Sequence, residues 1–133
     1  MLCRQTETEE LRGMSTLAVA AVGDAVFDLL VRSKLCLGGA ETAGDLHRSR
    51  VEMVNATAQA GYARKLLPLL TPEEGAYYKR GRNQKPNNVP KSSNLSEYCA
   101  ATALEALFGY LYLAGREVRL MELFDELFPA VKE

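Results

Sequence analysis

From Ser15 to about Leu37 the chain is Ala-, Val- and Leu-rich, and it is apolar on nearly every side until Arg32. Apolar residues recur there at helical spacing, and no alternating run suited to a strand occurs elsewhere. A helix of that kind is normally buried all round. Gly38-Gly39 stops it. A second helix is expected from near Asp45 through Leu67, with small residues at Ala56, Ala58, Ala60 and Gly61 that permit close packing. Thr71-Pro72-Glu73-Glu74 is a strong start for a third: a capping threonine, proline at the first helical position, and a glutamate placed to close a capping box. That helix gives way to a surface loop over 81–93. Asn94 with Glu97 forms another capping-box pattern and opens a helix to about Ala114, stopped by Gly115. An amphipathic helix over 117–128 ends before Pro129. The fold class is all-α: an N-terminal tail over 1–14, then one domain over 15–133. A length of 133 residues suits a single core.

Composition excludes several chemistries. No run of eighteen apolar residues is present, so no membrane span is expected. The first dozen residues lack the basic start and apolar stretch of a secretory signal, and a cytoplasmic location is expected. Cys3, Cys36 and Cys99 are widely spaced and odd in number, which argues against a disulfide framework or a zinc site. One histidine, His47, leaves little room for His-based metal or triad chemistry. Enzymatic work would fall to carboxylates.

Two carboxylates stand where core helices ordinarily have none. Asp24 is flanked on its helix face by Ala20, Ala21, Phe27 and Asp28; Glu105 is flanked by Ala101, Thr102, Phe108 and Gly109. Each has a glycine nearby, Gly23 and Gly109, at a cost of about 1 kcal/mol relative to alanine. Such glycines suggest the close approach of a backbone or ligand. Each acid can be read as sitting at a solvated helix edge. If the two helices cross there, the pair instead forms a hard-oxygen site suited to Mg²⁺.

Charge is segregated along the chain. Of 16 basic residues, five (Lys79, Arg80, Arg82, Lys85 and Lys91) lie in a stretch from Gly75 to Ser96 that has no acid, leaving 11 against 17 acidic residues elsewhere. Asn83, Asn87 and Asn88 add neutral hydrogen-bonding groups, and His47-Arg48 with Arg50 form a second basic group. The near-neutral total of −1 therefore hides a local site for a polyanion. A solvated turn is the plainer reading of the same composition. Aromatic interleaving is limited to Tyr77 and Tyr78, which favours backbone and shape reading of a duplex over single-strand stacking.

Four segments, LAVAAVGDAVFDLLVR, DLHRSRVEMVNATAQA, LTPEEGAYYKRGRNQKPNNVPKSSN and YCAATALEALFGYLYLAGREVRLMEL, occur in an order that resembles the mini-ribonuclease III family, the ribonuclease III catalytic domain without a double-stranded-RNA-binding domain. The match runs from about Leu17 to Leu123. The resemblance implies an all-helical, homodimeric, Mg²⁺-dependent endoribonuclease for double-stranded RNA. It also implies a role in maturation of large-subunit (23S) ribosomal RNA and products with 5′-phosphate and 3′-hydroxyl ends. By position, Asp24 in VGDAV matches the catalytic, metal-binding aspartate and Glu105 in LEALFGY the metal-binding glutamate. Lys79, Arg80, Arg82, Asn83, Lys85 and Lys91, with His47 and Arg48, are then the RNA-binding candidates. Full-length ribonuclease III carries two further acids where this chain has Ala20 and Thr102, a departure shared with the mini branch. Two carboxylates more readily hold one Mg²⁺, with water, Thr102 or RNA phosphate at other positions. The rival readings are a non-catalytic RNA-binding or ribosome-assembly module, and a helical interaction domain whose basic loop docks an acidic partner.

Overall fold

A computed structural model describes residues 8–39, 42–84 and 94–129, and all regular structure among them is helical. In chain order the α-helices are α1 (Thr8–Arg12), α2 (Thr16–Leu37), α3 (Ala43–Val54), α4 (Ala56–Leu66), α5 (Pro72–Arg82), α6 (Leu95–Leu113) and α7 (Glu117–Leu127), with a 3₁₀ turn at Leu67–Leu69. Local chemistry accounts for most boundaries. Ser15 caps α2 by accepting from the Ala18 amide, and Gly39 leaves it at φ 104°. At the head of α5 the capping box is complete: Thr71 Oγ1 accepts from the Glu74 amide, and Glu74 Oε1 accepts from the Thr71 amide.

Two expectations need correction. The single helix expected from Asp45 through Leu67 is broken at Asn55, which takes an extended conformation (φ −67°, ψ 162°) and caps α4 through its side chain. Asparagine competes with the helix for its own backbone, and here a new N-cap wins over continuation. Asn94 does cap α6, accepting from the Ser96 amide, but Glu97 does not reach back to it. Its carboxylate instead accepts from the Thr57 hydroxyl of α4, at 3.2 and 3.3 Å.

The centre of the bundle is α6. From Ala100 to Leu111 every residue of α6 is buried except Glu105, which is partly exposed, and α2, α4 and α5 pack around it. Three glycines set how closely they pack. A Cβ on Gly23 would lie 1.6 Å from the Glu105 carbonyl oxygen, one on Gly109 2.0 Å from that of Val19, and one on Gly81 2.7 Å from that of Thr102. Backbone therefore touches backbone where α2 and α5 cross α6. Below the α2–α6 crossing, α7 contributes Leu120, Leu123, Phe124 and Leu127 at helical spacing to the core. Phe27 meets Phe108 and Phe124 edge-on, with ring centroids 5.3 and 5.9 Å apart. Leu11 of α1 is also buried in this core.

Glu74 ties α5 to α7. Its side chain is 1% exposed and pairs with Arg119, whose Nε and Nη2 donate to the two carboxylate oxygens at 2.9 and 3.0 Å. Burial alone would raise its pKa, but the Arg119 and Thr71 hydrogen bonds outweigh that and hold it below the usual carboxylate value.

In α2 the sequence reading overstated burial. Leu17, Ala18, Ala21, Ala25 and Leu29 are exposed, so this helix has one face in the core and another open. No helix among the described residues is long and apolar enough to cross a membrane.

Candidate active site

The Gly23–Glu105 contact is what assembles the site. With no side chain at Gly23, the α2 backbone settles on the Glu105 carbonyl, and the next residue, Asp24, comes near enough for its charge to act on the Glu105 carboxylate. Asp24 is exposed, while Glu105 rises out of an otherwise buried helix. Burial first, and the Asp24 charge second, push the Glu105 pKa from 4.5 up to about 7. A carboxylate whose charge is disfavoured by burial and by a neighbouring acid, at the rim of an apolar core, belongs to a hard-oxygen pair relieved by a proton or a cation. The donor set therefore fits one divalent cation such as Mg²⁺ held by Asp24 and Glu105. No group of three or more His, Cys, Asp or Glu ligands exists among the described residues.

The surrounding positions explain why the set stops at two. Ala20 and Thr102 are buried, and the Thr102 hydroxyl donates to the Tyr98 carbonyl at 3.0 Å within its own helix. Asp28, one turn beyond Asp24, is engaged by two arginines: Arg50 of α3 donates from Nε to Oδ1, and Arg32 donates from Nε to Oδ2 at 3.0 Å. Burial would raise the Asp28 pKa, but these two hydrogen bonds hold it below its usual value. Asp28–Arg32 is an i,i+4 pair within one helix, whereas Arg50 lies 22 residues away on another helix and no local spacing could join it to Asp28.

The candidate RNA-binding residues do not form one loop. Lys79, Arg80 and Arg82 belong to the last turn of α5, with Asn83 as the C-cap whose amide donates to the Lys79 carbonyl at 3.0 Å. Cations there also favour the helix dipole. The Arg80 guanidinium lies 5.2 Å from the Tyr77 ring centroid, and Tyr77 stacks on Tyr110 at 4.2 Å. Arg82 instead acts electrostatically on Tyr78, as does Arg64 of α4, whose Nη2 donates to Ser96 Oγ at 3.4 Å. Arg64 is thus a cation the sequence reading passed over; a helix-face plot of α4 alone could not join it to α5. His47 and Arg48 are exposed on α3, and Arg48 pairs with Asp45 on the surface. Lys85 and Lys91 lie outside the described residues.

The ribonuclease III domain model matches residues 17–116, a span that contains both carboxylates and the α2–α6 crossing. A mini-ribonuclease 3 from Symbiobacterium thermophilum is 46% identical over 109 residues, covering 82% of this chain and 84% of that protein. One from a Thermoanaerobacter species is 38% identical over 125 residues, covering 94% and 88%. The chain belongs to the mini-ribonuclease III family. It is accordingly an endoribonuclease, a hydrolase of phosphodiester bonds. A crystal structure of a Fusobacterium nucleatum protein has the same fold at a TM-score of 0.77 and 32% identity, covering 86% of this mini-ribonuclease III chain and 92% of the other.

Proposed function

We propose that this mini-ribonuclease III, with residues 15–133 as its catalytic domain, cuts double-stranded RNA as a Mg²⁺-dependent homodimer. Its substrate is the large-subunit (23S) ribosomal RNA precursor in the cytoplasm, and its products carry 5′-phosphate and 3′-hydroxyl ends. The observation that supports the reading is the Gly23 crossing, which lays α2 on Glu105, whose pKa burial and the Asp24 charge raise to about 7. Asp24 and Glu105 would hold the cation, which would supply Lewis-acid polarisation of the scissile phosphate and an activated water. Lys79, Arg80, Arg82 and Asn83 on α5, Lys85 and Lys91 beyond it, and His47 and Arg48 on α3 engage phosphates. The narrow major groove of A-form RNA keeps side chains from reading base edges, so their contribution is grip and register.

The open face of α2 supports the dimer. Val22, Ala25, Val26 and Leu29 of α2 line shallow apolar grooves with Tyr112 of α6 and Leu120 and Met121 of α7. Leu29 is 55% exposed and Met121 37% in the single chain. A second copy on this face covers that surface and, since Asp24 adjoins Ala25, brings a second carboxylate pair for the opposite strand.

The test is cleavage of a plain RNA duplex with and without Mg²⁺, wild type against Asp24→Asn. The wild type is expected to cut only with the metal, and the variant to bind RNA, keep its fold and lose cleavage. Full activity in Asp24→Asn would refute the assignment of the site, and wild-type binding without cleavage would favour the non-catalytic module.

A further inference from the structure

Asp28 follows Asp24 by one helical turn on the same face of α2, a spacing that puts their Cβ atoms about 5–6 Å apart. It holds two arginines in an unusual way. Where an arginine only ties helices together, as Arg119 does with Glu74, it uses Nε and Nη2 on both oxygens of one carboxylate. At Asp28 each arginine takes one oxygen through Nε alone. The Nη nitrogens of Arg50 and Arg32 have no partner among the described residues. The cluster carries a net charge of +1 and presents unused guanidinium forks around an acid that lies one helical turn from Asp24. Arg50 is the more confined of the two, its side chain 26% exposed against 47% for Arg32, so less freedom is lost when its fork meets a ligand.

We infer that Arg50 is a phosphate-binding residue of the active site, and that Asp28 is its positioning residue. The ligand is a backbone phosphate of the RNA strand next to the one being cut, taken up by the free Nη fork. The planar fork matches two phosphate oxygens, a geometry that a lysine ammonium does not reproduce. Asp28 serves by fixing Nε, so that the fork is already aimed when the strand arrives. This inference rests on the double-stranded-RNA reading of the site.

The experiment compares wild type, Arg50→Ala, Arg50→Lys and Asp28→Asn on one blunt RNA duplex. Binding is followed by fluorescence anisotropy in EDTA across a salt series, and cleavage by steady-state kinetics in Mg²⁺. Loss of one phosphate contact in Arg50→Ala is expected to reduce the slope of log affinity against log salt by about 0.9 and to lower kcat about tenfold to a hundredfold. Arg50→Lys keeps the charge, so its slope stays near wild type while kcat falls. Asp28→Asn leaves Arg50 charged but unaimed, and shows the same split. A merely structural ion pair would lower Tm without moving slope or kcat. Wild-type slope and kcat in Arg50→Ala would overturn the inference, as would full rescue of kcat by Arg50→Lys. Should Arg50→Ala fail to fold, Arg50→Lys and Asp28→Asn decide. A wild type that binds duplex but does not cut it refutes the functional reading, and the Arg50→Ala salt slope, or that of Arg50→Gln if the alanine variant does not fold, still decides this one. A wild type that binds no duplex overturns both.

Discussion

Gly23→Ala puts the α2–α6 crossing to a direct test, because two opposing effects have calculable sizes. Alanine is the better helix former by about 1 kcal/mol, so at an open helical position the change stabilises. At Gly23 the added Cβ would lie 1.6 Å from the Glu105 carbonyl oxygen and 2.6 Å from the Gly109 amide nitrogen. Both neighbours are backbone, so no rotamer change relieves the overlap, and the helices must part by about 1.5 Å. Overpacking of this severity costs about 3 kcal/mol or more, which leaves a net loss of about 2 kcal/mol. For a domain of this length that is about 7 °C in Tm, read by circular dichroism during thermal unfolding. The internal control is Gly61→Ala in α4, where a Cβ meets nothing within 4 Å. It is expected to raise Tm by about 3 °C. Cleavage should fall further than stability does, by about a hundredfold at a temperature where the variant is folded, since a displacement near 1 Å of one ligand against another has that effect. A Gly23→Ala protein with Tm equal to or above that of Gly61→Ala would refute the close crossing. One that is destabilised yet cleaves at the wild-type rate would refute its link to the site.

Glu105 gives a pH signature with a definite sign. Its folded-state pKa, about 7, stands above the ordinary 4.5, so the folded chain holds the proton more tightly than the unfolded one. In EDTA its contribution to stability is complete below pH 4.5 and lost as pH rises through about 7, roughly 2 kcal/mol after solvent screening. Urea titrations should show that slope in wild type, none in Glu105→Gln, and a flattened one with Mg²⁺; an identical slope in all three would contradict the raised pKa. Glu74 has the opposite sign, since its lowered pKa contributes stability above its unfolded value and loses it as pH falls through the folded one. Arg119→Ala strands that buried carboxylate and should cost about 3–5 kcal/mol by the same urea assay, with a loss below 1 kcal/mol refuting the latch. Leu29→Glu places a charge in the proposed dimer face and should shift sedimentation to the monomer while leaving the circular dichroism spectrum unchanged; an unaltered dimer would move the interface elsewhere.

The elements that were legible in the sequence are those whose cause is local. Ser15, Thr71 and Asn94 cap helices from their own side chains, Gly39 and Gly115 take positive φ at helix ends, and the apolar period of α2, α6 and α7 is written within each segment. Asn55 was equally local, and its cap was simply hidden under a continuing helical pattern. The residue types of the site, two acids in apolar helices each beside a small residue, also needed nothing but the chain itself. What the sequence could not assign was the partner of each remaining acid. Asp24, Asp28, Glu74, Glu97 and Glu105 are all carboxylates on helices. Only packing gave Asp28 to Arg50 across 22 residues, Glu97 to Thr57 across 40 and Glu74 to Arg119 across 45. The same packing left Asp24 near enough for its charge to act on Glu105. A side chain's role depends on the partner that burial forces on it, and burial is decided by how closely helices approach. Here that distance is set by glycine, whose missing Cβ lets α2 lie directly on the backbone of α6.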